Sequence, residues 1–347
     1  MMRKVGLLIS LLLIIVSMAK AQVQEVKFTQ FFNFPLYIQP ASTGNFKESY
    51  RISGIYRKQW NSIESEFETY GLSTDFKFSK GFLPGDEWGA GLYAIDDHLG
   101  NGLMQNQELG LSFAYHHPLD FQGRHRLSLG INFSYSMASF DIDKLLFESQ
   151  FDGFVANLDL PNGEPIAGDN MANYDAGAGL DYSFLINKKW SAGVSASWLN
   201  MVKPQQSFYS DSLSEAHMNR KLISGNVKYK FNEKVALVPR WLVSLQQNET
   251  EVSTGAVLEY LLVPQKQVQL DVGAFAQWSE YIIVYAGGTY KGFSLHASYD
   301  FSISGLKEIT QVQDTDFSNP GVFEISLIYK GRTKNNTSNY TVPCRIF

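Results

Sequence analysis

A few clusters in the 347-residue chain have side chains that could do chemistry. In "GFSLHASYDFS", His296 lies two or four positions from Ser294, Ser298 and Asp300. On a strand these groups share one face, so a base, hydroxyls and a carboxylate meet as in a hydrolase. Any alternating strand supplies such neighbours, however, and the expectation is a hydrogen-bond network. His116 and His117 stand beside Pro118 and read as an exposed turn. "DDHLGNG", from Asp96 to Gly102, has carboxylates and glycine but not the oxygen spacing of a calcium loop. There is no phosphate loop, zinc spacing or nucleophile elbow. Cys344 is the one cysteine, so no intrachain disulfide forms. The expectation is no enzyme: no catalytic residue, no cofactor and no metal.

The elements that carry these residues are strands. In "RLSLGINFSYSMASFDID", Leu127, Leu129, Ile131, Phe133, Tyr135 and Met137 fall on one parity. Ser128, Gly130, Asn132, Ser134 and Ser136 fall on the other. Period two means one apolar and one polar face. A polar face in bulk water would carry Lys and Glu; small hydroxyl and glycine residues suit an enclosed polar space instead. About fourteen segments of this kind begin near Tyr50, Phe67, Trp88, Gln107, Arg126, Asn173, Trp190, Arg220, Val235, Ser253, Gln267, Tyr281, Gly292 and Val322. Their length of roughly ten residues is what a tilted strand needs to cross a bilayer.

The connections alternate. Every second one is short and rich in turn residues: "KGFLPGD", "LDFQG", "NKK", "NEK", "PQK", "KG". Most of the others are longer, notably 140–172, 201–219 and 302–321. Short turns on one rim and long loops on the other predict an all-β, antiparallel transmembrane β-barrel of about fourteen strands, with N- and C-termini periplasmic and the long loops extracellular. Composition agrees: aromatics are 14% and charged residues only 18%, against roughly 25% in soluble domains. Tyr56, Trp60, Trp88, Tyr115, Trp190, Trp278 and Tyr329 would form interfacial girdles in outer-membrane lipid. Net charge is −5, which gives no case for nucleic acid.

The polar parity collects charges of both signs, among them Arg51, Asp75, Asp175, Asp181, Arg240, Glu259, Asp300 and Glu324. Charges in a low-dielectric wall tend to pair. His296, Asp300, Asp175, Asp181 and Arg240 are therefore expected to form a lumen network, in a filled or protein-occupied lumen rather than a single-sign filter. Pro239 cannot donate a ladder bond, which predicts an irregular position. The opening MMRKVGLLISLLLIIVSMAKAQ has a basic start, an apolar run and an Ala19-Lys20-Ala21 cleavage site. It reads as a signal peptide over 1–21, with Gln22 leading the mature chain. The remaining parts are an N-terminal periplasmic or lumenal segment (22–48), the barrel (49–331) and a periplasmic tail (332–347).

"FTQFFNFPLYIQPASTGNF" resembles the opening of the PorP/SprF family of type IX secretion system membrane proteins of the Bacteroidetes. The family's N-P-A-x-x-G element reads Gln39-Pro40-Ala41-Ser42-Thr43-Gly44 here, with Gln39 in place of Asn. Its R-x-Q-W element reads Arg57-Lys58-Gln59-Trp60. "NYDAGAGLDYSF", "SYDFSISGLKE", "FEISLIY" and "PCRIF" follow in the family's order. From the residues alone, Pro40 and Gly44 fix a turn, and Arg57 and Trp60 end a strand at the membrane interface. The resemblance implies a non-enzymatic outer-membrane partner of type IX secretion. It would help secrete or retain a large adhesin or other cargo bearing a type IX C-terminal domain, as in gliding or surface attachment. Periplasmic ring and motor components or lipoproteins are further partners it implies. The alternatives are a passive porin or substrate-specific channel, and a soluble exported β-sandwich.

Overall fold

The computed structural model describes residues 26–59, 67–79, 81–100, 103–141, 148–152, 155–157, 160–161, 163, 168, 170–202, 205–206, 215–216, 219–247, 249–264, 268–278, 280–303 and 321–333. Trp60, Cys344, the leader and Gln22 lie outside the described residues.

Fourteen strands close into an antiparallel barrel. In chain order they are β1 (Tyr50–Gln59), β2 (Phe67–Phe78), β3 (Glu87–Leu99), β4 (Met104–Pro118), β5 (His125–Phe140), β6 (Asn170–Leu185) and β7 (Trp190–Leu199). The circuit continues through β8 (Arg220–Lys230), β9 (Val235–Gln246), β10 (Glu249–Val263), β11 (Val268–Gln277), β12 (Tyr281–Tyr290), β13 (Phe293–Ser302) and β14 (Val322–Gly331). Each strand pairs with its sequence neighbour, and β1 pairs with β14 from Tyr50↔Gly331 to Gln59↔Val322. Closure leaves no strand edge unpaired, the condition for backbone to stand in a bilayer. Among the described residues no helix is long and apolar enough to cross a membrane.

Alternation decides which side chain goes where. On β5 Leu129, Ile131 and Phe133 point outward and are about half exposed, while Ser128 is fully buried inside. Outward aromatics pair near the strand ends: Trp88 with Tyr115 at 4.7 Å, Trp190 with Tyr229 at 4.3 Å, and Phe293 with Tyr329 at 4.3 Å. Such amphipathic rings suit a membrane–water boundary.

One rim, here the turn rim, carries connections 79–86, 119–124, 186–189, 231–234, 264–267 and 291–292, together with the barrel ends Tyr50 and Gly331. The opposite loop rim carries 141–169, 200–219 and 303–321. It also has the 60–66 connection and three shorter ones, 100–103, 247–248 and 278–280, so the alternation in length is looser than expected. The irregularity at Pro239 is a gap in the β8–β9 pairing between Asn226↔Arg240 and Tyr229↔Leu237, without a register change.

Candidate functional site

A fourteen-stranded barrel encloses more space than its wall side chains fill. Here residues 26–49 run through the lumen from the loop rim to the turn rim and occupy much of it. At the loop rim Lys27 pairs with Glu251, close to the start of β10. The backbone N–H groups of Thr29 and Gln30 donate to the two oxygens of Glu324, at 2.9 and 2.7 Å. Thr29 Oγ1 donates to Asp300 at 2.5 Å, and Asn33 Nδ2 to Ser326 at 3.0 Å. Arg57 approaches the same Glu324, with 3.8 Å between guanidinium and carboxylate. Unpaired, a carboxylate this deep would be costly; the segment's N–H groups and Arg57 together offset its desolvation.

Below these contacts lies an apolar cluster. Phe28, Phe31, Phe34, Leu36, Tyr37 and Ile38 from the segment pack with wall residues that point inward: Ile55, Tyr93, Ile95, Leu199 and Leu222. Phe32 bridges to a second cluster, 5.6 Å from Phe275 and 5.5 Å from Tyr285 between ring centroids. Ordinary hydrophobic burial holds the segment against the wall here.

The lower part of the segment is tied by polar groups. A single helical turn, α1 (Pro35–Ile38), is followed by a 3₁₀ turn over Pro40–Ser42. Prolines at both starts fit, because the ring fixes φ and the missing N–H is not needed there. Gly44 has φ +71° and donates its N–H to Asp75 at 2.7 Å. Asp75 also takes a two-pronged contact from Arg51, at 2.9 and 2.8 Å. Lys77 Nζ donates to the Phe46 carbonyl at 2.6 Å. The wall makes room with glycine. A Cβ on Gly130 would lie 2.3 Å from Ala41 N, and one on Gly89 would lie 2.0 Å from the Thr43 carbonyl oxygen.

Several expectations are corrected by this segment. Arg57 does not end a strand at the lipid interface; it faces the lumen on Glu324. His116 is not in an exposed turn but fully buried, held by Ser128 at 2.8 Å and the Thr43 carbonyl at 2.7 Å. The five lumen residues do not meet in one network, because the segment lies among them. His296 pairs with Asp271 at 3.0 Å, and Asp300 with Thr29. Asp181 accepts from Asn45 at 3.4 Å, and Arg240 covers the Phe32 ring at 4.4 Å. Asp175 accepts the Val202 N–H at 3.1 Å by the loop rim. Residues 26–49 themselves run from the loop rim, at the first described residues, to the turn rim, where β1 starts and β14 ends. Pro40 and Gly44 do shape a turn, and that turn lies inside the barrel.

Outside the spanning strands, Asp86 sits in the 79–86 turn. Burial pushes its carboxyl up, but hydrogen bonds from Tyr115, His117 and the Leu83 N–H outweigh this and hold it below the ordinary carboxylate value. Among the described residues no group of His, Cys, Asp and Glu is arranged to hold a metal.

A comparison with curated proteins gave no match. Solved structures share the barrel at low identity. The toluene transporter TbuX of Ralstonia pickettii is 11% identical with a TM-score of 0.52, covering 86% of this chain and 94% of that chain. A Pseudomonas aeruginosa FadL homologue is 9% identical with a TM-score of 0.51, covering 86% and 94%. These likenesses concern the fold. The family model described as type IX secretion system membrane protein PorP/SprF matches residues 20–329, and the chain belongs to that family.

Proposed function

We propose that this protein is a non-enzymatic outer-membrane barrel that holds a partner polypeptide for type IX secretion and does not chiefly pass solutes. The observation that carries this reading is the lumen largely occupied by residues 26–49, with the apolar Phe28–Phe34–Tyr37 cluster packed against its wall. A porin needs a continuous polar path. The turn rim faces the periplasm and the loop rim the outside, as the barrel's short turns and long loops favour. The long connections 141–169 and 303–321 are the docking surface for a secreted adhesin or other cargo with a type IX C-terminal domain, because binding residues concentrate on loops carried by a rigid scaffold.

Deleting the gene tests this. One or a few large proteins should disappear from the cell surface while general type IX export continues. An unchanged surface proteome would remove the cargo role. Loss of every type IX substrate would instead place the protein in the core apparatus, with the periplasmic ring and motor.

A further inference from the structure

The lumenal segment does not fill the barrel evenly. Beside it, against β6 to β10, a cavity of about 410 Å³ remains. The apolar cluster that includes Leu199 and Leu222 lies on its loop-rim side. Its lower wall, with Ser191, Lys228 and Lys330, lies next to strand ends at the turn rim. Lys330 in that lower wall is exposed, so the pocket is reached from that side.

Six charged residues line it: Arg51, Lys228, Arg240 and Lys330 against Asp181 and Glu259. Arg51 is held by Asp75, and Lys228 by Glu259 at 2.5 Å. The side chains of Arg240 and Lys330 have neither a hydrogen bond nor an ion pair among the described residues. Arg240 is fixed over the Phe32 ring, with its Nε buried and without a partner. Lys330 lies directly opposite Arg51 in the β1–β14 pairing, so two like charges stand side by side. A preorganised guanidinium with spare donors in a partly desolvated pocket is a carboxylate site by its chemistry.

We propose that this pocket is a binding site for a carboxylate presented by a polypeptide from the turn-rim side, with Arg240 as its anchor and Lys330 at its mouth. The site does not depend on the cargo reading, since it lies at the opposite rim from the long loops. A peptide terminus and an acidic side chain share this chemistry, and both fit a pocket of this size.

The test uses the full chain carrying Ser224→Cys, which lines the pocket, and Cys344→Ser, reconstituted in lipid. An anionic sulfonate thiol reagent should label Cys at 224 faster than its cationic trimethylammonium counterpart, by roughly tenfold or more. Arg240→Gln with Lys330→Gln should bring the two rates together, and Arg240→Lys should restore most of the difference. Heat-modifiable migration on a gel confirms that each variant is folded. Ac-Gly-Ser-Gly as the free acid, or Ac-Gly-Glu-Gly amide, should slow labelling, and Ac-Gly-Ser-Gly amide should not. Protection by the first marks a terminal carboxylate, by the second a side-chain one. Equal or cation-favoured labelling of the parent, or no protection by either acid, would overturn the site.

Discussion

The walls β2–β5 and β8–β10 are built from the same alternating strands and face opposite surroundings. On the first wall the inward residues Asp75, Ser112, His116 and Ser128 are fully buried, because residues 36–46 lie against them. On the second, Ser224, Asn226, Lys228, Lys230 and Arg240 point inward but stay partly solvated. The difference teaches that alternation decides which residues enter the lumen, and the lumenal segment decides what they meet there. An ion pair on one wall is therefore a structural tie, and on the other a hydrated contact.

The largest effect should come from Asp75→Ala. It leaves the Gly44 N–H without its acceptor and the buried Arg51 guanidinium with only the Ser42 carbonyl, at a cost of about 3–5 kcal/mol. Urea unfolding in micelles measures it. Gly44→Val should follow, at about 1–3 kcal/mol, since φ is +71° and a Cβ would stand 2.7 Å from Gly89 Cα. Protease nicking of the 26–49 segment should accelerate in that variant if the turn seats it. Glu259→Ala breaks a single-contact pair on the wet wall, and should cost about 1 kcal/mol or less because Lys228 keeps its water. A loss there as large as for Asp75 would break the comparison.

The smallest effect concerns pH. The depressed Asp86 carboxyl contributes stability that is present above its unfolded value of about 3.9 and lost as pH falls through its lower folded value. Asp86→Asn should therefore lower the unfolding midpoint at neutral pH, and the two proteins should converge in acid. A constant gap across that range would contradict the assignment.

Strand number, starts and the inward and outward faces were legible because membrane and lumen impose period two on every segment. Pro40 and Gly44 were legible as a turn. That this turn lies deep in the lumen was not, because nothing local distinguishes a turn in water from one inside a barrel. Two signals did point there. Ile55, Tyr93, Ile95, Leu199, Leu222, Phe275 and Ile283 break the polar parity, and "FTQFFNF" supplies aromatics that no strand uses. Each reads as noise alone; together they are two halves of one core. His116 was missed for the same reason, since its partner Thr43 is 73 positions away.

The central claim is that the lumen is closed by its own N-terminal segment. Single-channel recording in a planar bilayer tests it most directly, comparing the intact barrel with a form lacking residues 26–45. The account predicts little steady conductance from the intact protein and large, stable currents from the deletion. Large, stable currents from the intact barrel, unchanged by the deletion, would contradict it.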